Sequence, residues 1–136
     1  MIDTNAVLLE WLKTAGTGLY TLVATRVYCP RLPVGFVNSA PALEVFRRGG
    51  NSKIEHAEHA ASFQIKCYGG STNAGDAESV YQALYDRLHD TEGQDTTSGN
   101  IMAAYEEQMG QSLIDPETGW PFVLTFWRVT MRPKAA

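Results

Sequence analysis

The chain has 136 residues, 44% of them apolar and 19% charged, and a formal net charge of −4. Those values fit one globular domain, residues 1–136, with a core of its own, and the sequence holds no internal repeat and no low-complexity tract. They also argue against a surface that grips nucleic acid, which needs clustered Lys and Arg, and no apolar run nears the ~20 residues of a membrane helix.

The opening segment "MIDTNAVLLEWLK" has no basic leader ahead of its apolar stretch. It does not read as a signal peptide, and the chain is expected to be made and to stay in the cytoplasm. Cys29 and Cys67 have no metal-type spacing and are expected as reduced thiols there. The first predicted element is a helix. Asp3 or Thr4 caps it, Val7, Leu8, Trp11 and Leu12 give it one apolar side, and Gly16 and Gly18 end it. "LYTLVATRVY" is read as a short helical turn that becomes extended at Arg26 to Tyr28. "CPRLPVGFVNSAP" holds three prolines and is an irregular connector.

"ALEVFRR" is a short strand, with Leu43 and Val45 on one face and Glu44 and Phe46 on the other. "GGNS" interrupts it, and the polar "KIEHAEHA" leads to a second strand, "SFQIKCY", in which Phe63, Ile65 and Cys67 share a face. The two are expected to form a hairpin with its tip around residues 49 to 60. After Gly69 and Gly70 the period changes. Thr72 or Asn73 opens a helix with Ala77, Val80, Tyr81, Leu84 and Leu88 on one side, and Asp76 and Glu78 suit its N-terminal dipole.

"TEGQDTTSGN" reads as a polar loop. "IMAAYEEQMG" suits a helix by composition but alternates as a strand does, and the turn region that follows favours the strand. The last strand, Phe122 to Met131, carries Phe122, Leu124 and Phe126 on one face and Val123, Trp127, Val129 and Met131 mostly on the other. Both faces are apolar, so both need cover. The first face is expected against the 76–90 helix, and the Trp127 face against something else. The predicted class is α+β: a mostly antiparallel sheet of about four strands with helices packed on one face.

Chemistry is sparse in this chain. His56 and His59, with Glu55 and Glu58 beside them, lack the zincin pattern and read as a solvated loop tip rather than a metal site. His89 ends an acidic helix, where it suits the dipole better than base catalysis. "GGSTNAG" precedes a helix but lacks the lysine of a phosphate loop, and no serine sits in a nucleophile elbow. Glu106 and Glu107 diverge in a strand and form no acid/base pair. A non-enzymatic protein without catalytic residues, cofactor or metal is expected.

Charge and aromatics are more informative. From Asp76 to Glu117 there are ten acids and one base, Arg87; the segment before has seven bases and five acids, and the segment after has three bases and no acid. Such a chain carries either a plain solvated acidic face or complementary faces on identical subunits, which favour head-to-tail association. Trp120, Trp127, Arg47 and Arg48 are the residue types that anchor protein contacts. Trp127 also fits ordinary core packing.

Three stretches together, "RVYCPRLPVGFVNSAPALEVFRRGG", "SFQIKCYGGSTNAGDAESVYQALYDRLHD" and "GQSLIDPETGWPFVLTFWRVTMR", resemble the tail-completion, or tail-terminator, family of long-tailed bacteriophages. The matching words are Arg26-Val27-Tyr28 and Pro41, then Phe63 to Ser71 leading into Ala74 to Leu88, then Gly119-Trp120-Pro121. The resemblance spans residues 20 to 132. It implies a homo-oligomeric ring, a hexamer, that caps the tail tube, ends its growth and gives the head a surface to join. The implied partners are other copies of the chain, the tail tube protein and a head-closure or connector protein, with DNA passing through unread. The implied location is the neck of the virion, after assembly in the host cytoplasm. An acidic lumen would let DNA slide, with Glu106, Glu107, Asp115 and Glu117 as its candidates. Another head–tail connector component, or a small α+β ligand-binding domain, are the competing readings.

Overall fold

The computed structural model describes residues 2–53 and 58–134. In chain order its elements are α1 (Thr4–Leu12), α2 (Gly18–Val23), β1 (Val27–Tyr28), β2 (Ala42–Lys53), β3 (Glu58–Tyr68), α3 (Ala74–Leu88), β4 (Glu92–Asp95), β5 (Asn100–Ile114) and β6 (Pro121–Arg132). The strands form one six-stranded sheet in the order β1-β2-β3-β6-β5-β4. The β1–β2 pair is parallel and every other pair is antiparallel. The class is therefore α+β as expected, but the sheet is mixed and larger than four strands.

The helices start where a side chain takes up a free backbone N–H. The Asp3 carboxylate accepts from Ala6 N at 3.1 Å, the Thr17 hydroxyl from Tyr20 N, and the Asn73 side chain from Gly75 N at 2.9 Å. Ala77, Val80, Tyr81, Leu84 and Leu88 of α3 are all buried, as their spacing predicts. Trp11 and Arg87 bolt α1 to α3. The guanidinium carbon lies 3.4 Å from the Trp11 ring centroid, and each side chain donates to the other residue's carbonyl, at 3.3 and 3.1 Å.

Three readings are corrected. The glycines of "GGNS" do not end β2; the strand runs on through Gly49 and Gly50, with a bulge between Arg47 and Gly49. Gly50 tolerates this because it takes a positive φ of 137° and lies so close to Ala60 and Ala61 that no Cβ would fit. Residues 92–95 of the supposed polar loop form β4, which hydrogen-bonds to β5 although all four of its residues are exposed. Its polar sequence carries no burial pattern, so period-2 reasoning passes over it.

The third correction concerns β6. Val123, Trp127, Val129 and Met131 do not face away from the helix; they face it. Trp127, Val129 and Met131 are 0% exposed, and the Trp127 ring meets Tyr85 of α3 edge-on at 5.7 Å. The other face, with Leu124 and Phe126 half-buried, is the open side of the sheet. The reason is volume. The space under the helices takes the large indole, while the open face is left with partial cover. Trp127 is therefore core, and the expectation that it forms an oligomer contact fails.

The indole N–H of Trp127 has no hydrogen-bond partner among the described residues. Trp127→Ala should lower unfolding stability by about 3–5 kcal/mol, read from urea midpoints. Trp127→Phe should lose clearly less, since it also removes the unpaired donor. Trp127→Glu should not yield a folded, soluble monomer.

Candidate functional site

The aromatic residues of the open face gather at one end of the sheet. Phe36, on the connector, meets Tyr28 at 5.8 Å, Tyr68 at 6.5 Å and Trp120 at 5.9 Å, and Tyr68 meets Trp120 at 6.4 Å and Phe122 at 5.5 Å. Trp120 reaches this cluster because Gly119 takes a positive φ of 74° while the Asp115 side chain accepts from Glu117 N at 2.9 Å and shapes the turn. The connector is tied down by Arg26, whose guanidinium donates to the Pro41 and Leu22 carbonyls, and by Asn38, which bonds Gly70 N and the Ser71 carbonyl. Trp120 is thus half-buried and anchors a loop. The connector itself leaves Val34 and Val37 fully or largely exposed.

Arg47 and Arg48 are both exposed, and their contacts put them on opposite faces, with Arg48 as the extra residue of the bulge. Arg48 lies 4.4 Å over the Phe126 ring on the open face, beside the exposed Phe46. Arg47 is on the helix side and donates to the Thr4 hydroxyl at 2.8 Å.

The four acids named as lumen candidates occupy different places. Glu106 points to the helix side and accepts from the Tyr81 hydroxyl at 2.7 Å and from Thr125. Glu107 lies on the open side, accepting from Ser62 at 2.6 Å and pairing with Arg128 at 3.2 Å. Asp115 is spent on its turn, and Glu117 is exposed at the tip. They do not form one acidic surface on the subunit.

The sequence reading missed a groove. Between α3 and β5 is a cavity of about 490 Å³ lined by Glu78, Tyr81, Tyr85, Asp86, Glu106 and Met109. Gly110 shapes its wall: its N–H donates to the Tyr81 hydroxyl at 3.1 Å, and a Cβ there would sit 2.7 Å from the Tyr81 ring. Burial first, then the Glu106 carboxylate, push the Tyr81 hydroxyl up to about 12. The one available signal was the i, i+4 pair Tyr81 and Tyr85, with an acid one turn before the first and another just after the second.

Of the histidines, His59 lies 2.9 Å from the Ser52 hydroxyl, and His89 caps α3 and stacks on Tyr85 at 4.7 Å. His56 and Glu55 lie outside the described residues. Among the described residues no group of three or more His, Cys, Asp or Glu is placed to hold a metal ion.

No family model matches the chain, and no curated protein matches it. Its fold is similar to that of a chain in the solved structure of the virion of a native gene transfer agent (GTA) particle. The TM-score is 0.66, the identity is 18%, and the alignment covers 94% of this chain and 93% of that one. At that identity the likeness is one of fold.

Two outcomes follow from the packing around β5. Gly110→Ala should drive the Tyr81 ring from its place and cost about 1–3 kcal/mol in urea unfolding. The Ser62 hydroxyl, and after it Arg128, hold the Glu107 carboxyl below its usual value of 4.5, against the opposing effect of burial. A lowered folded-state value stabilises the protein above the unfolded value, and that gain drains away as pH falls through the lowered one. The gap in urea midpoint between the unaltered chain and Glu107→Gln should therefore be full at pH ~7 and shrink below pH ~4.5.

Proposed function

We propose that this chain is a structural protein of a phage-type virion that forms a closed ring at the head-proximal end of a tail tube. There it stops tube growth and offers the head a surface to join. The observation that carries the virion reading is the fold likeness to a chain of a virion particle, which runs over nearly the whole length of both chains. The likeness of fold suits a shared way of building a particle; it does not by itself choose among neck components.

The ring and its place draw on the family resemblance, and the structure adds one supporting fact. The three sequence words that carry the resemblance converge in space. Arg26 holds the Pro41 carbonyl, Gly70 holds Asn38 of the connector, and Trp120 closes on Phe36 and Tyr68. One compact knot of side-chain-to-backbone bonds and ring contacts joins words that lie far apart in sequence.

In this reading the chain's partners are further copies of itself, the tail tube protein and a head-closure or connector protein, and DNA passes through the ring unread. The ring is six-membered, the single domain spans 1–136, and the protein carries no catalytic chemistry. Acids such as Glu117 at the exposed turn are the ones free to line a lumen; Glu106 and Glu107 are already bonded within the subunit.

Tail assembly with and without the protein tests this. Negative-stain images should show tubes of uniform length that join heads when it is present, and overlong, headless tubes when it is absent. Identical tube lengths in both preparations, with the chain missing from purified particles by mass spectrometry, would overturn the proposal.

A further inference from the structure

The two sides of the sheet are unlike in charge and alike in being unfinished. On one side β1 pairs with Leu43 and Glu44, so among the described residues β2 from Phe46 onward pairs with β3 alone. On the other side β4 pairs with Asn100, Ile101 and Ala103, so among the described residues β5 from Ala104 onward pairs with β6 alone. The free part of β2 carries Arg47 on the helix side and the exposed Phe46 on the open side. The free part of β5 carries the wall of the acidic groove on the helix side and Tyr105, 54% exposed, opposite Arg128 on the open side.

We propose that the groove between α3 and β5 is the receiving half of a head-to-tail contact, and that its occupant is the basic β2 edge, Phe46 to Arg48, of a second copy of this chain. The contact presupposes the ring reading above and gives it an interface. Charge complementarity selects the occupant. The groove presents Glu78, Asp86 and Glu106 without a base, over Tyr81, Tyr85 and Met109. A guanidinium with its aliphatic stem satisfies both the acids and the aromatic floor.

Face and direction agree with this pairing. Three successive antiparallel pairings make β5 run opposite to β2. Copies standing side by side therefore bring the two free edges together antiparallel. In that placement the neighbour's Arg47 falls on the groove side and its Phe46 falls on the side of Tyr105. Giving and receiving surfaces lie on opposite flanks of one subunit, which is what a closing, heterologous contact requires. Glu78 and Asp86 have no ion-pair partner among the described residues, and Met109 is 76% exposed, so this groove is open in the lone subunit.

The test is a charge swap. Glu78→Lys with Asp86→Lys, and separately Arg47→Glu, should each weaken self-association by about tenfold or more in sedimentation velocity. The chain with all three changes should recover it. Unfolding midpoints check that each variant is folded, and Glu78→Gln with Asp86→Asn serves where lysine is not tolerated. Reversed variants that associate like the unaltered chain, or a triple variant no better than its parents, overturn the contact. In that case tubes that still end at uniform length leave the ring reading standing. An unaltered chain that stays monomeric both alone and with tail tubes overturns the ring reading itself, and this contact with it.

Discussion

Everything in this subunit depends on β6 being the inner strand of the sheet. It hydrogen-bonds to β3 over the stretch from Phe122 to Met131 and to β5 from Pro121 to Arg132. Its backbone groups are therefore used on both sides, and its odd-numbered side chains fill the space under α3. A strand bonded on both flanks and covered on one face has a single solvent-facing surface left. On that surface Arg48 lies over the Phe126 ring, and Lys66 and Tyr68 meet the Phe122 ring, as cation–ring and ring–ring contacts. The open face is thus partly sealed by its own charged neighbours, and it is less bare than its composition alone implies.

Centring the sheet on β6 sends the incomplete edges outward. β2 and β5 are long strands with short companions, and each outlasts its companion by most of its length. Both carry bulges, at Arg47/Gly49 in β2 and twice in β5 between Glu106 and Gln111. Bulges and edge charges are the usual means of keeping such edges from pairing at random. Here the charges differ in sign between the two flanks, which discourages like edges from meeting and leaves unlike edges compatible.

Most of this arrangement was legible in the sequence where burial leaves a period. The faces of β3 and α3 follow from Phe63, Ile65 and Cys67 and from Val80, Leu84 and Leu88, because each buries one side and wets the other. Legibility failed where that period is absent or doubled. β4 is exposed throughout and shows no alternation. β6 is apolar on both faces, so periodicity separates two sets of residues but cannot say which set meets the helix; only the volume of Trp127 decides, and volume has no direction in a sequence. Gly49 and Gly50 read as a break, yet a bulge and the close approach of β3 need glycine there. The groove was invisible for a related reason. It is made by two elements about 25 residues apart, and the residue that shapes it, Gly110, signals only by having no side chain.

The segregation of charge is then best understood through what each acid is doing. Glu106 and Glu107 are adjacent, but one is held by Tyr81 and Thr125 and the other by Ser62 and Arg128. Those bonds tie β5 to α3 on one face and to β3 and β6 on the other, so both acids serve the fold. Glu78, half-buried, and Asp86, exposed, have no such bonds among the described residues, and unpaired charges near the surface contribute little to the stability of a lone subunit. The dipole of α3 accounts for Glu78 near its start but not for Asp86 near its end, beside Tyr85 and Met109, whose exposed apolar surface is a cost in water. An acidic rim around an open aromatic floor makes physical sense when a cation on an apolar stem completes it, and this chain carries such a group on the opposite flank of its own sheet.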